Sequence, residues 1–414
     1  MIRRPMLVAF LTALAYCATT SLAQEWTRFR GPNGSGQSEA TTIPVIWTEK
    51  DYLWQTTLPG IGHSSPVLWG QKIFLTSAEP ASGTRYVLCV SATDGKLLWT
   101  RPYPAAASAI HTQNSLASST PTVDGDHVYC AWATPEEFTL LALDHDGVEA
   151  WRANLGPFIS KHGFGTSPIL FDDLLIVTND QDADSFLIAV DRATGLTRWK
   201  VPRKVHPEQS ASYAAPCIYK PKNGLAELIV DSWAHGMTSV DPLSGKTNWE
   251  AEVLERRPVG SPILVEGLIL GNCGEGSGNN NVVAVRPGSA SGRKAELVYK
   301  LDKTSAPYVP SLVAKGRLVF LWGDRGIVAC IDAATGEILW RERVGGNYSS
   351  SPVVVADRVY CVSTEGEVVA VAAADKFKLL GRSSLGEASR ATPAIAGGRM
   401  FLRSETHLFC VGQK

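Results

Sequence analysis

The chain has 414 residues, 44% of them hydrophobic and 19% charged, which is ordinary globular composition with length enough for a large core. Lys and Arg number 39 against 40 for Asp and Glu, a net charge of -1. No basic field is available to hold nucleic acid, so that partner class is excluded.

Arg3 and Arg4 precede an uncharged run over residues 6–18, and Ser21-Leu22-Ala23 supplies small residues for cleavage. This is the pattern of a secretory signal peptide over residues 1–23. Cys17 follows Leu14-Ala15-Tyr16 where a lipobox would stand, but Tyr16 occupies the place that needs a small residue. Cleavage after Ala23 without lipid anchoring is therefore expected, giving an exported protein of the periplasm or cell exterior. No later segment has the length and apolarity of a transmembrane span. Residues 24–43 read as an N-terminal extension, and residues 44–412 as a single domain.

That domain is repetitive. A small polar residue and Pro followed by β-branched residues recurs as "SSPVL" at Ser64, "STPTV" at Ser119, "TSPIL" at Thr166, "AAPCI" at Ala214, "GSPIL" at Gly260, "VPSLV" at Val309, "SSPVV" at Ser350 and "ATPAI" at Ala391. Each is followed by a tight turn, a second strand such as "HVYCAW", and a third such as "FLIAVD". A small polar turn with Gly then leads to a last strand holding Trp, as in "DRATGLTRW" from Asp191 and "DAATGEILW" from Asp332. Short β-branched runs separated by Gly, Asp and Asn predict four antiparallel strands per repeat, the pattern of a propeller blade.

The recurring rings are Trp99, Trp151, Trp199, Trp249 and Trp340, with Tyr299 in the fifth repeat. They are predicted to wedge between neighbouring blades. Trp54 has no Pro-led unit before it, while the eighth repeat stops three strands in. The strand around Trp54 is therefore expected to complete the last blade, closing the ring and removing its free edges. The fold class is all-β, an eight-bladed propeller, with seven blades as the fallback. Cys89, Cys330 and Cys410 occupy a third-strand slot held elsewhere by Ala142, Ala189, Ser239, Ala284 and Ala370. Cys130 and Cys361 share a second-strand slot with Leu75 and Leu402. All five are expected to be buried thiols, because cysteine packs as a small hydrophobe.

The D-x-x-T-G-x-x-x-W turn and the Pro-led first strand resemble the PQQ-like β-propeller repeat family over about residues 44–412. That family includes quinoprotein alcohol dehydrogenases and the propeller lipoprotein of the outer-membrane β-barrel assembly machinery. "WTRFRGPNGSG" from Trp26 and "HTQNSLASSTP" from His111 are similar to a secreted branch of it. Resemblance to the dehydrogenases would imply PQQ with calcium, an adjacent-cysteine disulfide over the quinone and an Asp base. This chain has no adjacent cysteines.

Segments before each first strand, together with loops joining second and third strands, share one propeller face. Placed there are His63, His111, Asn114, His162, Tyr213, Tyr308, Tyr348 and Arg390 from the first set, and Asp180, Trp233, His235, Asn272, Asp324 and Arg325 from the second. Polar and aromatic groups converging on one concavity make a candidate binding site. "NDQDADSF" from Asn179 carries Asp180, Asp182 and Asp184 at alternate positions but lacks the Gly and Glu of an EF-hand, so a solvated hairpin is expected. "GNCGEGSGNNN" from Gly271 and "SGKT" from Ser244 lack the helix or glycine of a phosphate loop and read as turns. No catalytic residue and no metal-ligand set emerges. The expectation is a non-catalytic scaffold that binds protein partners of the cell envelope, with no cofactor. Alternatives are a PQQ-dependent oxidoreductase and a polysaccharide-binding propeller in which Trp233 and Tyr213 point outward.

Overall fold

The computed structural model describes residues 25–208, 211–276, 278–289, 292–302 and 304–413. The signal-peptide and lipobox positions lie outside them. The described chain forms eight four-stranded antiparallel sheets, the seventh carrying one extra strand. Blade 1 comprises Val67–Trp69, Lys72–Ala78, Arg85–Ser91 and Leu97–Tyr103 from the axis outward. Blades 2 to 7 repeat this plan, beginning at Thr122–Val123, Ile169–Phe171, Cys217–Tyr219, Ile263–Val265, Val313–Lys315 and Val353–Val355. Blade 8 takes Ala394–Ala396, Arg399–Arg403 and His407–Gly412 from the chain end and Trp54–Thr57 as its outer strand. Trp54 pairs opposite Cys410, so the ring closes as its sequence pattern predicts.

The core lies between blades. On the second strand of blade 1, Phe74 faces Val128, Cys130 and Trp132 of blade 2, while Ile73 and Leu75 face the blade 8 side. A sandwiched sheet buries both faces, so inner strands such as Leu174–Asn179 are buried throughout. Outer strands such as Thr197–Arg203 alternate, with one row in solvent.

The recurring Gly and Trp explain each other across blades. Except for Trp340, which faces a blade 7 turn without glycine, each ring lies on the turn glycine of the next blade: a Cβ on Gly195 would stand 2.5 Å from Trp151, and one on Gly245 2.7 Å from Trp199. Both glycines have φ near +72°, a conformation other residues adopt at a cost. The indole N–H then donates to a carbonyl of the same turn. Trp99 reaches His145, Trp151 Arg192, Trp199 Pro242 and Trp340 Ala374, all at 2.9–3.0 Å, and Trp54 reaches Ala92 at 3.1 Å. Tyr299 donates likewise to Ala333, whereas Trp249 donates to the Glu227 carboxylate.

The small third-strand slot sits opposite these rings: Cys89 pairs with Trp99, Cys330 with Trp340 and Ala189 with Trp199. All seven described cysteines are free and buried. Blade 7 has Gly381 in place of a Trp, and Ile46 fills the space above it. Trp47, held by Ser383, is buried in the adjoining core.

Two expectations are corrected. In blade 6 the proline at Pro310 is not the equivalent of Pro66, because Val313 pairs with Phe320 as Val67 does with Phe74. Leu312 therefore occupies the proline place and Ser311 that of Ser65. The hairpin at residues 179–185 is not solvated: Asn179, Asp180 and Gln181 are buried. Gln181 there ties down Pro157, Ile159 and Asp184 through its side-chain amide.

Candidate functional site

The residue preceding each first strand's proline place forms a belt around the axis. The backbone N–H of Ser65 donates to Thr120 Oγ1, that of Thr120 to Ser167 Oγ, that of Ala215 to Ser261 Oγ, and that of Ser261 to Ser311 Oγ. Ser311, Ser351 and Thr392 continue it back to Ser65, each bond being 2.9–3.1 Å. Ala215, which has no hydroxyl, leaves its one gap. This belt satisfies amides that would otherwise face the channel unpaired. It also fixes the inner rim at which the preceding segments rise into a funnel.

The funnel encloses about 960 Å³ and takes lining residues from all eight blades, with Phe29 of the N-terminal segment contributing a further ring. His63, His111, Asn114, His162, Tyr213, Tyr308, Asp324, Arg325, Tyr348 and Arg390 all line it. The ring brings together residues far apart in sequence.

Four positions placed on this face do not line the cavity. Asp180 pairs with Arg203 at 2.7 Å, both side chains buried. Trp233 stacks on His206 at 4.1 Å and has Arg256 over its ring. His235 accepts the Lys204 N–H at Nε2, so Nδ1 carries the proton and donates to Glu250 at 3.0 Å. Asn272 is fully buried and donates to the carbonyls of Pro307, Tyr308 and Pro310, pinning the loop that carries Tyr308. Trp233 and Tyr213 do not form one outward platform, since Tyr213 belongs to the funnel.

The best-built feature of the funnel is Arg257, which sequence reading missed. Its Nε donates to the Tyr308 hydroxyl at 2.9 Å, and Nη2 donates to the same oxygen. Nη1 lies 3.1 Å from His162 Nδ1, which must accept, leaving the imidazole proton on Nε2. The guanidinium lies 5.6 Å from the Tyr213 ring centre and 5.7 Å from that of Tyr308, within cation–π range. Among the described residues Arg257 has no carboxylate in ion-pair reach, although it is only 9% exposed. A desolvated, aromatic-flanked guanidinium without a carboxylate is a ready receptor for an anionic group.

The neighbouring electrostatics follow. Burial and then the Arg257 charge press His162 down to about 4. Burial, Arg390 and Arg403 press His63 down to about 3. Both imidazoles are neutral at physiological pH. The His111 ring lies tilted against that of His162, their centres 4.9 Å apart. Asn114 holds this corner closed by donating to the carbonyls of His162 and Phe164 while accepting from Ser115 and Ser118. Arg390 adds a second cationic point, with Glu405 at 3.8 Å. Asp324 accepts the backbone N–H groups of Tyr308 and Val309 at 2.7 and 3.0 Å, and burial raises its pKa.

A calcium-held quinone would need oxygen ligands converging on an ion beneath a disulfide. Both Asp324 oxygens are instead engaged by amides, and the cysteines are isolated thiols between blades. No cluster of three or more His, Cys, Asp or Glu among the described residues could hold a metal. The donor set suits an anionic organic group and does not fit calcium.

Fold and funnel together define an eight-bladed propeller of PQQ-like repeats with an open, polar and aromatic axial cavity. The chain belongs to the family whose model is described as "Outer membrane protein assembly factor BamB", which matches residues 49–161, 134–293 and 278–405. No curated protein matches the chain. Among solved structures it is similar to a europium-containing methanol dehydrogenase (11% identity, TM-score 0.71, covering 94% of this chain and 98% of that one). It is also similar to BamB from Moraxella catarrhalis (16%, 0.61, 87% and 98%). A quinohemoprotein alcohol dehydrogenase from Comamonas testosteroni gives 12%, 0.65, 94% and 80%. At these identities the likenesses establish the fold alone. No helix of the described residues is long and apolar enough to cross a membrane.

Proposed function

We propose that the protein is an exported, non-catalytic propeller that binds a protein partner of the cell envelope, receiving an acidic group of that partner in its funnel. The observation that carries this reading is Arg257, held by Tyr308 and His162 and flanked by two tyrosine rings without a carboxylate of its own. Such a guanidinium gains most from a carboxylate that arrives with a ligand, because both charges are then paired away from water. Membership of a family described by outer-membrane protein assembly supports a binding role. An open funnel lined from every blade suits a protruding loop or chain end better than a small enclosed substrate.

The test is capture from an envelope extract by immobilised wild type, Arg257→Gln and Arg390→Gln. A discrete partner retained by wild type and reduced at least about tenfold by Arg257→Gln is expected, as for the loss of a charge-assisted pair worth about 1.5–3 kcal/mol. Equal capture by all three would move the binding surface out of the funnel. Calorimetric titration with PQQ and calcium addresses the oxidoreductase alternative, and saturable binding with dye reduction would replace the scaffold reading.

A further inference from the structure

The other end of the axial channel carries a second candidate site, built by the N-terminal segment. This segment crosses the ring: Trp26 bridges to Leu68 of blade 1, and the Thr27 carbonyl accepts from Thr122 and Val123 of blade 2. Arg28 reaches the Pro216 carbonyl in blade 4, and Arg30 that of Leu312 in blade 6. Gln37–Ser38 then runs parallel to Val353–Val355 as an added innermost strand of blade 7.

Both arginines are buried, Arg28 at 7% and Arg30 at 0% exposure, and neither has a carboxylate partner among the described residues. Arg28 Nε, with Arg30 Nε and Nη1, finds no acceptor. Burial presses Arg28 down to about 10, and burial with the charge of Arg28 presses Arg30 to about 9. Both guanidiniums are therefore still charged at neutral pH. Two buried like charges facing only carbonyls are costly unless a counter-charge is supplied.

Beside Arg28 the structure leaves a pocket of about 880 Å³, its polar side formed by Arg28, Thr27, Asn33, Tyr219, Lys220 and Lys222 and its apolar side by residues of blades 3 to 5 such as Phe171, Ile218 and Leu264. Asn33 is locked by a reciprocal pair of 2.8 Å bonds with the backbone of Ile218, so the wall that positions Arg28 is preformed. Asp172 and Glu266 also line the pocket, at hairpin turns with φ of 51° and 48°.

We propose that this pocket is a second ligand site, in which the Arg28 guanidinium takes an oxyanion, phosphate or carboxylate, with Lys220 and Lys222 assisting at its mouth. The volume exceeds that of one oxyanion, so the group belongs to a longer ligand. The site is separate from the funnel and does not depend on the role given to Arg257.

The test is calorimetric titration of the full chain with inorganic phosphate and with tripolyphosphate, at constant ionic strength in chloride. In the Arg257→Gln background, which silences the anion-receptive guanidinium of the funnel, one saturable site is expected, with tripolyphosphate at least about tenfold tighter than phosphate. Added to that background, Arg28→Gln should abolish binding and the surface changes Lys220→Gln/Lys222→Gln should weaken it severalfold. The lysine variant keeps the test valid if Arg28→Gln fails to fold. No saturable binding, or binding indifferent to Arg28 and to the lysines, overturns the proposal.

Discussion

At the scale of single residues, the repeated turn-and-tryptophan unit is a docking pair divided between neighbours. Trp151 rests on Gly195 of blade 3 and donates to Arg192 of the same turn. Trp340→Ala should lower stability by about 3–5 kcal/mol, as for other buried aromatics, and Gly195→Ala by about 1–3 kcal/mol or more, through its positive φ and the displaced ring. Chemical denaturation of both variants checks this, and a Gly195→Ala protein as stable as wild type would contradict the cross-blade pairing. The rings were legible in the sequence because they recur. Their partners were not, because the contact joins one repeat to the turn of the next.

Asp231 gave no sequence signal at all. It lies on the second strand of blade 4, only 2% exposed, with neither carboxyl oxygen partnered. Gly271 of blade 5 leaves room for it, since a Cβ there would stand 2.6 Å from the carboxyl. Burial pushes its pKa up to about 8. The unfolded chain ionises near 4, so the contribution of Asp231 to stability is fully present below that pH. It is lost progressively as pH rises through the folded value. Asp231→Asn should therefore gain stability relative to wild type between pH 4 and pH 8. Urea unfolding of both proteins across that range measures the difference, and a difference constant with pH would remove the buried acid from the account.

At the scale of elements, strand order and closure were readable, because the eighth repeat lacks a strand and Trp54 lacks a repeat. Deleting residues 44–58 removes the outer strand of blade 8 along with Trp47, which should destabilise the whole ring as one unit. An unchanged melting temperature in calorimetry would contradict closure. The parallel strand at Gln37–Ser38 was not readable, because two residues carry no period. The offset at Pro310 misled for a related reason, since a proline two places early mimics the repeat. Cys89, Cys330 and Cys410 follow from their slot opposite the wedges. Burial pushes each thiol up to about 12, so they should be silent to thiol reagents in the native protein and react on unfolding. Native-state labelling of any of the three would show that the blades open there.

At the scale of the whole molecule, the funnel was legible as a face, since loops of one kind lie at one end of a propeller. Which loop residues enter it was only partly legible. Asp180 sits in a loop of the right kind and Asn272 inside a second strand, Leu268–Glu275, but they satisfy a buried arginine and buried carbonyls, which periodicity cannot distinguish from lining. Arg257 lies on one of eight equivalent segments, and its importance comes from Tyr213, Tyr308 and His162 meeting it from three other blades. Phe29 enters from a segment with no repeat equivalent. The central claim is that this funnel is the surface the protein works through. Its most direct measurement is photo-crosslinking in the intact envelope, with a photoreactive residue in place of Arg325 at the funnel or of Leu225, which is 85% exposed on the opposite-end loop of blade 4. A discrete protein adduct from position 325 that disappears when Arg257→Gln is added, with none of that adduct from position 225, is the predicted result. The same adduct from position 225 alone, or an adduct at 325 indifferent to Arg257, would contradict it.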